Sequence, residues 1–107
     1  MNVCMFVGRF AEDPKISEVN GTYVVNFTLA VETYRKSTTG DRQKIVGYFD
    51  FEAWDSGAVT IEKSCRKGDL ITVKAEARQH RWTSDSNEKR QKVVFRVESF
   101  KVMDGNE

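Results

Sequence analysis

The sequence has few of the residues on which metal sites, disulfide scaffolds and many active sites depend. Its 107 residues include one proline, two cysteines and one histidine, and the net charge is only +1. Cys4 and Cys65 lack a metal-like spacing and are expected to be reduced thiols. The chain has neither a P-loop nor a nucleophile elbow. We therefore predict a protein that is not an enzyme and that has no metal and no cofactor.

Long apolar runs are also missing. No stretch approaches the roughly 20 apolar residues of a membrane span, and no basic region leads into an apolar one, as in a secretion signal. The sequence thus predicts a cytoplasmic protein without membrane contact. A nearly neutral chain that bound nucleic acid would need local positive charge, or affinity from stacking.

The residues that are present include an unusual aromatic strand at residues 46–54. Successive strand side chains point to opposite faces. One face is apolar and predicts a core: Phe49, Phe51 and Ala53. The other combines carboxylates with large aromatics: Tyr48, Asp50, Glu52 and Trp54. Aromatics displayed on a sheet surface can stack unpaired bases, although Tyr48 and Trp54 could instead pack under a loop or in a subunit contact.

The pattern predicts five strands and one short helix. The strands fall at about residues 2–9, 22–34, 46–54, 70–82 and 90–102, with the helix at about 57–65. Residues 11–15 break the first strand, and residues 35–44 are expected to form a mobile basic loop. A helix between the third and fourth strands is typical of an all-β OB-fold, a five-stranded Greek-key barrel.

Two strands have further distinctive patterns. The first is apolar on both faces, with Val3, Met5 and Val7 on one of them, so we expect it to be buried on both sides or shared with a partner. The last alternates between two sets: Val93, Phe95 and Val97 against Val94, Arg96, Glu98 and Phe100. Trp82, on the fourth strand, has the same outward parity as Tyr48 and Trp54.

The chain resembles the bacterial-type single-stranded DNA-binding protein family over nearly its whole length. No single matching piece is specific, but their order and spacing are. The matching segments are FVGRFAEDP at 6–14, NG at 20–21, VNFTLAV at 25–31, YFDFEAW at 48–54, RKGD at 66–69 and RQHRWT at 78–83.

This resemblance implies an OB barrel, usually in a homotetramer and sometimes in a dimer of two-barrel chains. It implies coating of single-stranded DNA, with little sequence preference, during replication, recombination and repair. By resemblance, the stacking aromatics are Tyr34, Tyr48, Trp54 and Trp82. The corresponding backbone-binding cations are Arg9, Arg35, Lys36, Lys67, Lys74, Arg78, Arg81 and Lys92.

The chain departs from the family pattern in two respects. Asp50 and Glu52 share the aromatic face and should weaken DNA binding unless the DNA avoids them or Lys74 and Arg78 neutralise them. The expected single domain, residues 1–103, is followed only by residues 104–107, without the family's acidic tip. The chain is therefore either a tail-less member or a shortened one, and contacts with replication and repair proteins stay open.

Three other interpretations are compatible with the sequence. An OB-type primosomal or accessory protein would act mainly through protein contacts. An enzyme could use His80 beside Glu76 and Arg81, but this histidine has outward parity among polar residues. RNA could replace DNA, because stacking does not exclude the ribose hydroxyl.

Overall fold

The computed structural model describes residues 1–103, which form six strands and one helix. The elements are β1 (Cys4–Phe10), β2 (Lys15–Val19), β3 (Thr22–Lys36), β4 (Arg42–Trp54), α1 (Asp55–Ser64), β5 (Leu70–Thr83) and β6 (Lys89–Met103). The expected C-terminal remnant, residues 104–107, lies outside the described residues. Within residues 1–103 no helix is long and apolar enough to cross a membrane.

Five of the strands close into a barrel. Their order is β1-β5-β6-β4-β3, and a short antiparallel contact from Arg9 to Ala30 joins β3 back to β1. Gly8 allows this close crossing, since a Cβ there would lie 2.9 Å from the carbonyl oxygen of Ala30. With α1 between the third and fourth barrel strands, the topology confirms the predicted OB-fold.

The barrel core follows the predicted alternation. Phe27 and Phe51 are buried on neighbouring strands with their rings stacked at a centroid distance of 5.3 Å. Ala58 and Ile61 of α1, and Cys65 directly after it, are fully buried in the same cluster. The helix thereby closes one end of the barrel with the side chains that its spacing predicted.

The two cysteines are free thiols: Cys4 is half-buried and Cys65 is buried. Removal from water, followed by the nearby charge of Asp69, raises the pKa of Cys65 to about 11, although Arg66 opposes the shift. The thiolate is the reactive form of cysteine, so Cys65 is part of the core and not a nucleophile.

Strand β2 was not predicted. All five of its residues are exposed, so no apolar alternation indicates it. It pairs with β3 through a tight turn at Asn20 and Gly21, whose φ angles are 51° and 81°. Positive φ at both turn positions suits an Asn-Gly hairpin. The strand lies outside the barrel and extends the sheet at β3.

The prediction of a loop over residues 35–44 is wrong for most of this segment. Strand β3 continues to Lys36 and β4 begins at Arg42, so the two form a long hairpin with Tyr34 opposite Lys44. Backbone hydrogen bonds hold the two strands of this ribbon together, and the ribbon does not depend on a buried apolar face. Only residues 37–41 form the connecting turn.

A β-bulge in β6 changes the predicted facing of its last part. Lys74 pairs with Ser99 while Ala75 pairs with Val97, which leaves Glu98 as an extra residue. An inserted residue reverses the alternation that follows it. Phe100 therefore packs against the core opposite Val73, and its predicted place on the face of Arg96 is wrong.

Both predicted ends of the helix are displaced. The helix begins at Asp55 instead of Gly57, and the residue before it, Trp54, makes no side-chain capping bond. The helix ends at Ser64, and Gly68, with φ 91°, belongs to the following turn.

Candidate nucleic-acid interface

The outward face of β4 carries the aromatics that its alternation predicted. Phe51 and Ala53 are buried, which turns the residues between and beside them outward. Tyr48 is 67% exposed, whereas Trp54 is half-buried. The two aromatics on one face therefore have different surroundings: Tyr48 is open to solvent and Trp54 is partly enclosed.

Trp54 is held by two charged side chains. Its indole Nε1 donates a hydrogen bond of 2.9 Å to Oε2 of Glu52. The Nε of Arg96 donates to the same oxygen at 2.8 Å. The guanidinium carbon of Arg96 lies 5.3 Å from the centre of the Trp54 ring, within the range of a cation–π contact.

These contacts fix the charge of Glu52. Partial burial raises its pKa, but the hydrogen bonds from Trp54 and Arg96 and the charges of Arg96 and Arg78 lower it by more. The net pKa lies below the ordinary value, so Glu52 is ionised at neutral pH. Arg96 lies opposite Glu52 in the register of β4 and β6 and forms an ion pair with it, so it balances the negative charge of Glu52.

Asp50 is neutralised in a similar way. Its Oδ1 accepts a 2.7 Å hydrogen bond from the hydroxyl of Thr28, and its Oδ2 lies 3.7 Å from Nζ of Lys92. The predicted DNA-binding lysine at position 92 is therefore already paired with a carboxylate on the aromatic face.

Lys74 and Arg78 do not take the neutralising role considered from the sequence. The Nζ of Lys74 lies 3.6 Å from Glu98, and Arg78 forms a 3.0 Å pair with Glu76. Arg78 contributes only its more distant charge to Glu52. The carboxylates on the aromatic face are thus balanced mainly by β6, through Lys92 and Arg96.

The long β3–β4 hairpin carries a second aromatic site. Tyr34 is exposed, and the guanidinium carbon of Arg42 lies 4.5 Å from its ring centre. The predicted cations Arg35 and Lys36 extend from the same hairpin. Within residues 1–103 neither of them forms an ion pair.

The β5–β6 hairpin carries a third aromatic site. Trp82 is exposed, and the ring of His80 stacks on it with centroids 5.3 Å apart. An open groove beside Trp82 is lined by the cations Arg81, Lys89 and Arg90. His80 therefore packs against an exposed aromatic side chain, and its outward position is as predicted.

Arg9 and Lys67 lie away from the Trp82 hairpin. Arg9 donates a 3.0 Å hydrogen bond to the carbonyl of Gly68, and the backbone N–H of Lys67 donates to Asp13 at 2.8 Å. Lys67 belongs to the turn that precedes β5. Arg9 lies on β1, bonds to that turn and lines an open pocket that also includes Tyr34, whereas Trp82 lies near the far end of β5. The structure does not place these two predicted cations beside the Trp82 hairpin.

Four cations near the aromatics were missed by sequence reasoning: Arg42, Lys89, Arg90 and Arg96. Arg42 would follow from recognising residues 37–41 as a hairpin turn, because that turn places it opposite Lys36. Arg96 had no such signal, since its pairing with Glu52 depends on a short parallel contact between β4 and β6.

Comparison with known proteins agrees with this architecture. The family model for the single-strand binding protein family matches residues 1–103. The chain belongs to this family. The single-stranded DNA-binding protein of Aquifex aeolicus is 30% identical over 104 residues, which cover 96% of this chain and 70% of that protein. The protein of the same name from Thermotoga maritima is 29% identical, covering 92% and 72%.

Solved structures give the same fold. A deletion mutant of the single-stranded DNA-binding protein from Thermus aquaticus superposes with a TM-score of 0.87 at 20% identity, covering 99% of this chain and 52% of that one. The Plasmodium falciparum SSB in complex with single-stranded DNA gives 0.86 at 22% identity, covering 97% and 96%.

Proposed function

We propose that this family member binds single-stranded DNA with little sequence preference and serves replication, recombination and repair. Residues 1–103 form the single binding domain in this proposal. Bases stack on four aromatics: Tyr34, Tyr48, Trp54 and Trp82. The observation that carries the proposal is their placement on the outward surface of one OB barrel, each on a strand and none in the buried core.

The cations supply the second part of binding. Arg35 and Lys36 are free to approach phosphates, whereas Lys74, Arg78 and Lys92 are paired with carboxylates. Each phosphate neutralised on a single strand lowers log K by roughly 0.7 per log unit of salt. With several cations already paired, we expect a shallow salt dependence and a large share of affinity from stacking.

The accessory-protein alternative loses one of its two supports. It rested partly on Asp50 and Glu52 as uncompensated negative charges on the aromatic face. Lys92 and Arg96 balance both of them, so the face can approach a phosphate backbone without net repulsion.

A competition experiment tests the proposed ligand. Fluorescently labelled oligo-dT is bound to the protein, and its anisotropy is followed as unlabelled oligo-dT, oligo-U and duplex DNA of equal length are added. We expect efficient displacement by oligo-dT and little by duplex, because a duplex hides its base faces. Equal displacement by duplex would mean that charge, and not stacking, drives binding, and preference for oligo-U would make RNA the ligand.

We further propose that the chain forms a homo-oligomer through β1. Met5 is 76% exposed, and Val3 and Val7 on the same face are also exposed. A contiguous apolar face of this kind marks an interaction surface, and a second copy would supply the cover. A homotetramer is the expected assembly, with a dimer as the smaller closed form.

A further inference from the structure

Glu52, Trp54 and Arg96 form a closed set of contacts on the outward face of the barrel. One carboxylate oxygen accepts hydrogen bonds from both the indole and the guanidinium, and the guanidinium also lies against the indole ring. Each member thus contacts the other two. Among the described residues, no other aromatic of the proposed site is held in such a closed set. Tyr48 is open, and Trp82 is stacked on His80. Tyr34 has Arg42 over its ring and donates a 3.5 Å hydrogen bond to Glu32, but Glu32 pairs with Lys44 and not with Arg42.

This arrangement restricts how Trp54 can move. A hydrogen bond to an ionised acceptor is stronger than a neutral one, and here it is partly shielded, since the Glu52 side chain is only 20% exposed. Arg96 covers one side of the ring. A base can therefore stack on Trp54 only from the opposite side, unless Arg96 first moves away.

We propose that Glu52 and Arg96 are positioning residues that hold Trp54 as a one-sided stacking surface for a DNA base. The proposal rests on the proposed function, since it assumes that Trp54 stacks on DNA. It assigns Arg96 a role different from that of a phosphate-binding arginine. Its charge is balanced by Glu52, so it acts through the ring that it supports.

The two roles of Arg96 predict different salt dependence. A positioning residue changes affinity by the same factor at every salt concentration. A phosphate ligand, when removed, also lowers the slope of log K against log salt by roughly 0.7. Measuring affinity at several salt concentrations therefore distinguishes them.

The test uses Trp82→Phe protein, in which Trp54 is the only tryptophan. Glu52→Gln and Arg96→Met are introduced into this parent, singly and together. Glu76→Gln is the matched control, because Glu76 is an outward carboxylate that pairs with an arginine and lies opposite Arg96 on β5, yet it bonds to Arg78 and not to Trp54. Affinity for oligo-dT and the fluorescence anisotropy decay of Trp54 without DNA are measured for each.

We expect Glu52→Gln and Arg96→Met to weaken oligo-dT binding about three- to tenfold, a part of one stacking increment. The salt slope of the double variant, in which neither charge is left unbalanced, should stay that of the parent, and the anisotropy decay of Trp54 should gain a fast component in every variant. Glu76→Gln should neither weaken binding nor free the indole. If Arg96→Met does not fold, Arg96→Lys retains the charge without the planar fork and should show the same loss.

Several results would overturn the proposal. One such result is that the two variants bind oligo-dT as tightly as the parent. Another is that Glu52→Gln binds more tightly, as simple removal of a negative charge would predict. Either result would show that Trp54 needs no support from these side chains. A reduced salt slope in the double variant Glu52→Gln/Arg96→Met would make Arg96 a phosphate ligand. A parent whose Trp54 fluorescence does not respond to oligo-dT would refute base stacking at Trp54 itself, and with it both proposals at this residue.

Discussion

Tyr48 and Tyr23 allow the stacking hypothesis to be tested at single residues. Both are exposed tyrosines on strands, at 67% and 47%. Tyr48 lies on the β4 face with Trp54, whereas Tyr23 lies opposite Glu18 of the outer strand β2. They therefore offer the same chemical change inside and outside the proposed site.

Tyr48→Ala should weaken binding to oligo-dT by one stacking increment, about 1–3 kcal/mol. Its melting temperature should change little, because the side chain is not part of the core. Isothermal titration and thermal melts of Tyr48→Ala and Tyr23→Ala provide the comparison. An equal loss of affinity in both variants would contradict the assignment of the β4 face.

The low pKa of Glu52 predicts a pH dependence of stability. The folded-state pKa lies below the ordinary value of 4.5, so the bonds of Glu52 stabilise the fold above that value and are lost as the pH falls through the folded-state pKa. The melting temperature of the wild-type protein should therefore decrease in acid more than that of Glu52→Gln, which has no carboxylate to titrate. Parallel curves for the two proteins below pH 4.5 would exclude Glu52 as a contributor.

At the scale of elements, the strands with a buried face were predictable and those without one were not. In residues 49–53 apolar and acidic side chains alternate with the two-residue period of a strand. This alternation predicts directly which face is buried and which is exposed. β2 and the distal half of the β3–β4 hairpin bury no apolar side chain, and only backbone pairing defines them. The bulge at Glu98 was equally hidden, since its effect on Phe100 depends on the register with β5.

The candidate site shows the same division. Tyr48, Trp54 and Trp82 followed from parity, and the resemblance added Tyr34. The arginines that contact Trp54 and Tyr34 were not found, because Arg96 and Arg42 are brought to these rings by pairing between strands. Cross-strand neighbours depend on the register between two strands, and the sequence pattern does not predict that register.

The β3–β4 hairpin should contribute the unpaired positive charge. Replacing Arg35 and Lys36 together with glutamine should lower the salt slope of oligo-dT binding by roughly 1.4, or 0.7 for each phosphate released. Lys63→Gln, an exposed lysine in the last turn of α1, is the control: it removes one positive charge away from the hairpin and should leave the slope unchanged. A salt slope unaffected by the double replacement would place the DNA backbone elsewhere.

At the scale of the whole molecule, the exposed face of β1 predicts assembly. Met5→Glu places a charge at the centre of the apolar stripe, opposite Lys74 on the neighbouring strand. Sedimentation velocity should show a closed oligomer for the wild type and mainly monomer for this variant. Tyr23→Glu, a similar change on a different exposed surface, should leave the oligomer intact. A monomeric wild-type protein at micromolar concentration would contradict the proposed interface.

Assembly and binding are connected by multivalency. Each barrel offers a limited aromatic surface, and several of its cations are already paired with carboxylates, so we expect a single site to bind weakly. Several sites in one oligomer act on the same strand at high effective concentration. The Met5→Glu variant should therefore also bind long oligo-dT more weakly than the wild type, while binding very short oligo-dT equally well.

The measurement that tests base stacking most directly is a titration of intrinsic tryptophan fluorescence with long oligo-dT at low and high salt. The chain has only two tryptophans, Trp54 and Trp82, and both belong to the proposed surface. We predict strong saturable quenching by oligo-dT at both salt concentrations and none by duplex DNA. Unchanged fluorescence at low salt, with binding detected by another method, would contradict stacking on these residues.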